Sequence, residues 1–180
     1  PIYQVQESPE IAGGIMTFPQ NIAQTSPVSL SQKVQEIFAN FPQKNNYRTV
    51  VLLNQTEFES GDSFAFTYTK PGVLASAITD FDTQTLEGLL KTKLVKDLGE
   101  VNEKSRWNSD AITEIPKIFP NAKILLLSVN KKASDETVSQ LSSTLENLAP
   151  QQTLLISLST KVSAPDQTYQ EFFDNFTKEV

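Results

Sequence analysis

The run Lys123-Ile124-Leu125-Leu126-Leu127-Ser128-Val129 decides the fold. It is short, almost unbroken in aliphatic side chains and free of polar alternation, the pattern of a strand covered on both faces. Residues 49–53, Thr49-Val50-Val51-Leu52-Leu53, and residues 153–158, Thr153-Leu154-Leu155-Ile156-Ser157-Leu158, read the same way, and residues 11–18 supply a fourth strand. Segments of helical period separate these runs. In residues 29–41 the side chains Leu30, Val34, Ile37, Phe38 and Phe41 fall on one helical face. Residues 134–148 place Val138, Leu141, Leu145 and Leu148 inward, with Ser134 as cap, Asp135 and Glu136 in the first turn where the helix dipole favours them, and Pro150 as the stop. Strands alternating with helices predict an α/β fold with a mainly parallel central sheet and helices on both faces.

Three further segments complete the pass. Residues 63–68 alternate Phe64, Phe66 and Tyr68 with small or polar residues, and residues 73–78 come after a Pro71-Gly72 turn, so 63–78 reads as a small hairpin or a pair of edge strands. Helices are expected over about 83–91 and 110–118, the second ended or kinked by Pro116. A last helix is capped by Ser163 and lines up Tyr169, Phe172, Phe173 and Phe176 on a face expected to dock on the sheet. No repeat, charge block or low-complexity linker intervenes, and residues 1–180 are read as a single domain.

Composition removes several chemistries. With 180 residues and 38% hydrophobic content, the chain suffices for one sizeable core. Fifteen basic against 21 acidic residues give a net charge of -6, and no stripe of Lys or Arg is present to neutralise phosphates, so nucleic acid is not expected as a partner. No apolar run approaches the ~20 residues that span a bilayer. Starting at Pro1 without a signal peptide, the chain reads as a processed form, and its compartment stays open between the cytoplasm and an extracytoplasmic space reached after removal of a signal or anchor. There is no histidine and no cysteine. Zinc, copper and non-haem iron sites draw mostly on imidazole and thiolate, and Ser-His-Asp or Cys-His catalysis needs the imidazole, so neither class is expected.

What remains is oxygen and amine chemistry. Glu57, Glu59 and Asp62 lie in one loop after a strand, where open α/β sheets bind ligands, and could hold Mg or Ca; spaced carboxylates on a solvated loop are the plainer reading, since no Asp-x-Asp-x-Asp-Gly pattern appears. Asp80 and Asp82 precede a helix and read as capping residues. Ser159, Thr160 and Lys161 could form a Ser-Lys pair only if burial lowered the lysine pKa, and read otherwise as loop residues. Arg106 and Trp107 could meet an anion or a ring, although a lone Trp more often belongs to the core or half-covers it. Gly13-Gly14 lacks the third glycine of a phosphate loop. Asn54-Gln55-Thr56 and Asn175-Phe176-Thr177 match the glycosylation sequon.

The order of elements and several short motifs resemble the Memo family, also called AmmeMemoRadiSam system protein B, which is similar in fold to class III extradiol dioxygenases. Gly13-Gly14-Ile15-Met16-Thr17-Phe18-Pro19 resembles the family's first strand, ending Gly-Gly-Ile-Val-Pro-His-His. Residues 50–58, with Asn54-Gln55-Thr56-Glu57-Phe58, resemble the second strand and its Gly-Pro-Asn-His-Phe loop, and Tyr68-Thr69-Lys70-Pro71-Gly72 stands where the family has a Thr-Pro-Phe-Gly turn. Residues 115–124, through Phe119-Pro120-Asn121-Ala122-Lys123, resemble the family's helix, Phe-Pro-Asp-Ala-Lys and following strand, and residues 154–160 the strand leading into Asp-Phe-Ser-His.

The resemblance implies the fold and subtracts the metal. Its histidine positions fall on Phe18, on Glu57, near Arg106, and on the stretch from Ser159 through Thr160 and Lys161 to Ser163, none of them a histidine. Ending at Val180, the chain is also expected to stop before the family's C-terminal segment, which would leave the cleft without a wall. The expectation is a non-catalytic module with no cofactor and no catalytic or metal residues, whose remnant cleft at Phe18, Asn54, Glu57, Arg106, Ser159, Thr160 and Lys161 binds a small molecule or a protein partner. Arg106 would pair with Glu57 across that cleft, replacing metal cross-linking by an ion pair. The alternative is an enzyme using carboxylates or an oxygen-only Mg or Ca ion in the same place.

Overall fold

The computed structural model describes residues 6–7, 11–17, 32, 35, 47–56, 65–101, 107, 109–148 and 152–159. In chain order its elements are β1 (Gln6–Glu7), β2 (Ile11–Thr17), β3 (Thr49–Thr56), β4 (Ala65–Thr67), α1 (Thr83–Lys91), β5 (Val95–Asp97), α2 (Ser109–Ile118), β6 (Lys123–Asn130), α3 (Asp135–Leu148) and β7 (Thr153–Ser159). All seven strands join one sheet in the order β1-β2-β7-β3-β6-β4-β5. The pairs β2/β7, β7/β3, β3/β6 and β4/β5 are parallel, while β1/β2 and β4/β6 are antiparallel. The fold is α/β with a mainly parallel sheet.

Burial of both faces explains the aliphatic runs. Alternate side chains of one strand enter different cores. Val50 and Leu52 of β3, Ile124 and Leu126 of β6 and Leu154, Ile156 and Leu158 of β7 pack with Ala111, Ile112 and Ile115 of α2. Val51 and Leu53, Leu125 and Leu127, and Leu155 turn the other way, against Leu86 and Leu89 of α1 and Val138, Leu141 and Leu145 of α3. Helix α2 thus covers one face and α1 with α3 the other. A strand with a polar face would leave one of these layers without a partner.

The helix ends obey local chemistry. Asp82 caps α1, accepting from the Thr85 backbone N–H, and Ser134 caps α3, accepting from the Thr137 N–H at 3.2 Å. Leu148, expected inward, is 36% exposed at the last turn of α3, where its methyl groups close over Gly88 of α1. Pro116 sits inside α2, which ends two residues later.

The segment 63–78 divides. Residues 65–67 form β4, which lies between β6 and the edge strand β5 and forms no hairpin with residues 73–78. Residues 72–77 are turns, not a strand. Gly72 takes a φ of 59°, the Ala75 N–H reaches back to the Pro71 carbonyl and the Ile78 N–H to that of Ala75. This curls the chain so that Ala75 and Ile78 are buried while Val73 is 86% exposed, a spacing of three rather than two. At the β5 edge Val95 points inward while Lys96 and Asp97 are exposed, charges that discourage pairing with another chain.

Of the helix expected over residues 29–41, Gln32 and Gln35 lie among the described residues; both are helical and exposed, off the apolar face. The Gln35 side-chain amide donates to Glu114 of α2 at 3.4 Å. The aromatic helix expected after Ser163, with Tyr169, Phe172, Phe173 and Phe176, lies outside the described residues. Among those residues no helix is long and apolar enough to cross a membrane.

Candidate functional site

The parallel strands β2, β7, β3 and β6 all end at one edge of the sheet, with Thr17 beside Ser159, and Asn54 flanked by Leu158 and Ser128. Ligands of open α/β sheets bind outside such carboxyl ends. There the aliphatic runs give way to polar residues. On the α2 face, Val50 and Leu52 of β3 are succeeded by Asn54 and Thr56, and Ile124 and Leu126 of β6 by Ser128 and Asn130, with Asn54 opposite Ser128 and Thr56 opposite Asn130. All four are buried, Asn54 to 3% exposure.

Two aromatic side chains join them from the connections. Tyr68, just after β4, sets its hydroxyl 3.5 Å from Ser128 Oγ. Trp107, just before α2, packs edge-on to Tyr68 with ring centroids 6.0 Å apart. Trp107 is 8% exposed and belongs to the α2-side core. The lone tryptophan is therefore a core residue, set beside the polar layer through Tyr68.

Hydrogen bonding around the layer is incomplete. Asn130 Oδ1 accepts from the Lys132 N–H at 3.1 Å. Thr56 Oγ1 and Trp107 Nε1 are buried and find no hydrogen-bond partner among the described residues, and neither does Ser157 Oγ, which projects from β7 on the opposite face beside Leu53. A buried donor or acceptor left unmade costs about 1–3 kcal/mol, so three at one end of a sheet mark a place where the described residues leave polar atoms unsatisfied.

The opposite end of the sheet differs. Asp82, buried, accepts from Thr49 Oγ1 at 2.8 Å, Thr85 Oγ1 at 2.7 Å and the Thr85 N–H at 3.1 Å. Its own N–H donates to the Ile124 carbonyl, tying α1 to β3 and β6. Asp82 is therefore a structural cap, and Asp80, exposed, contributes its carbonyl to the Ile124 N–H.

Of the residues expected from the sequence, Asn54 stands inside the polar layer and Ser159 ends β7 beside Thr17 of β2. Phe18, Glu57, Arg106, Thr160 and Lys161 lie outside the described residues, as do Glu59 and Asp62, so the expected Arg106–Glu57 pair and the oxygen-only cation loop fall outside them too. Burial of Asn54 within β3 closes its sequon to glycosylation in the folded chain; Asn175 also lies outside the described residues. Among the described residues no group of three or more His, Cys, Asp or Glu side chains could hold a metal ion.

Sequence reading passed over Thr56, Ser128, Asn130 and Ser157 as buried polar positions and took Tyr68 for an alternating strand residue. A signal was present: Ser128 and Ser157 each break an unbroken aliphatic run near its C-terminal end, where a polar side chain must be buried with the rest of the strand. No family model and no curated protein matches the chain.

Proposed function

We propose that the chain is a non-catalytic binding module of Memo-like type, which has lost a histidine metal site and takes a small molecule or a protein segment at the C-terminal edge of β3 and β6. The observation that carries this reading is the buried layer of Asn54, Thr56, Ser128, Asn130, Tyr68 and Trp107, in which Thr56 Oγ1 and Trp107 Nε1 find no partner among the described residues. Uncharged side chains of this kind bind and orient; they do not supply a proton shuttle or a nucleophile with its base. The total absence of histidine and cysteine supports the same conclusion, because borderline metals and imidazole-driven catalysis both lose their donors. The Memo-like reading itself rests on the sequence motifs at β2, β3, the Phe119-Pro120-Asn121-Ala122 turn and β7.

Elemental analysis of the dialysed chain, joined to native mass spectrometry of the undialysed protein, tests it. The reading expects no stoichiometric zinc, iron, magnesium or calcium, and an added organic mass or a bound protein. Near-stoichiometric magnesium or calcium would favour the carboxylate enzyme centred on Glu57, Glu59 and Asp62; stoichiometric zinc or iron would overturn both.

A further inference from the structure

Asn54-Gln55-Thr56 is an acceptor sequence for asparagine-linked glycosylation, and its place in the fold decides what that modification does to the chain. Asn54 is buried in β3, with Leu158 of β7 on one side and Ser128 of β6 on the other. Two and four residues earlier on the same face, Leu52 and Val50 pack in the core under α2. The strand is also held past Asn54. Gln55 and Thr56 stay in register with Val129 and Asn130, and the Thr56 carbonyl accepts from the Lys131 N–H at 3.0 Å. A glycan on the Asn54 side chain therefore has to occupy space that the folded chain fills. Interiors are packed as densely as organic crystals and respond to a single added methylene, so a sugar with its hydroxyls is not accommodated there.

Burial does not protect Asn54 while the chain is being made. Transfer to an acceptor sequence acts on the unfolded chain as it enters the secretory compartment, and both strands that flank β3 come later in sequence. Ser128 follows Asn54 by about 70 residues and Leu158 by about 100, so at synthesis rates of about 5–20 residues per second Asn54 waits roughly 4–14 s for its first strand partner. The earlier strand β2 gives no cover, because it pairs with β7 and not with β3. We propose that glycosyl transfer to Asn54 and this fold exclude each other, so that the chain folds only where that transfer does not take place. This leaves the cytoplasm and those extracytoplasmic spaces that are reached without passing the transferase.

The full chain carrying Asn175→Gln, which leaves Asn54-Gln55-Thr56 as its acceptor sequence, is directed into the secretory pathway of a eukaryotic host by a cleavable signal. It is made with and without an inhibitor of oligosaccharide-donor synthesis, and in parallel with Thr56→Val added, which removes the acceptor hydroxyl. The same Asn175→Gln chain made in the cytoplasm is the folded standard. Without inhibitor, the proposal expects a glycosidase-sensitive mass on Asn54 and at least about tenfold less protease-resistant product than from the inhibited or Thr56→Val chain, since proteolysis follows the unfolded population. A protein glycosylated at Asn54 yet as protease-resistant as the standard would overturn the proposal, and so would an unmodified, folded product made without inhibitor. Failure of the unglycosylated versions as well would overturn it too, because the glycan would then not be what excludes the fold.

Discussion

The two ends of the parallel sheet carry similar residues and treat them differently. At the N-terminal end the hydroxyls of Thr49 and Thr85 both terminate on Asp82. At the C-terminal end Thr56 Oγ1, Ser157 Oγ and Trp107 Nε1 are buried and, among the described residues, unpartnered. The same strand thus carries a hydroxyl fastened to Asp82 at one end and, among the described residues, an unbonded one at the other. The unbonded end is the one where α/β sheets place ligands.

Substitutions separate the two ends by size of effect. The scale is set by the core between them: Leu126→Ala, in the α2-side core, is expected to cost about 3–5 kcal/mol in urea unfolding because its neighbours are rigidly packed. Asp82→Ala comes next, at about 2–4 kcal/mol, since it removes the α1 cap and strands two buried hydroxyls. A loss under about 0.5 kcal/mol there would contradict the fastening, given what an N-cap alone contributes. Gly72→Ala is expected to cost about 1–3 kcal/mol, from a φ of 59° and a Cβ pressed into the Val101 carbonyl oxygen, and would show as a lowered urea midpoint. Ser157→Ala should be smallest, within about 0.5 kcal/mol of neutral or slightly stabilising, because the hydroxyl removed has no partner to strand.

Much of the fold is legible in the sequence because β3, β6 and β7 are apolar on both faces, and that pattern admits few structures besides a covered parallel sheet. The caps at Asp82 and Ser134 are equally local and equally readable. What sequence reading missed depends on tertiary pairing. Val95-Lys96-Asp97 is three residues long with one buried side chain, too short for periodicity to declare, and becomes a strand by lying against β4. Residues 73–78 have strand-like composition but curl after Gly72, where backbone bonding overrides propensity.

The candidate site was less legible than the fold. Asn54 entered through the resemblance to the family's second strand and loop, but Ser128 and Asn130 reach it only by the β3/β6 register, and Tyr68 and Trp107 arrive from connections distant in sequence. The resemblance to Memo-like proteins drew attention to the strand ends through Phe18, Glu57 and the residues after β7, without naming Thr56, Ser128 or Asn130 as part of a buried polar layer.

Parallel threonine-to-valine exchanges at the two ends of β3 test the asymmetry most directly, since valine keeps the threonine shape and removes only the hydroxyl. Urea unfolding of ligand-free protein should show Thr49→Val destabilised by about 1–3 kcal/mol, because Asp82 loses a buried donor, and Thr56→Val unchanged or slightly more stable. Equal losses at both positions would show that Thr56 is fastened like Thr49, and the C-terminal edge would then be structure rather than site.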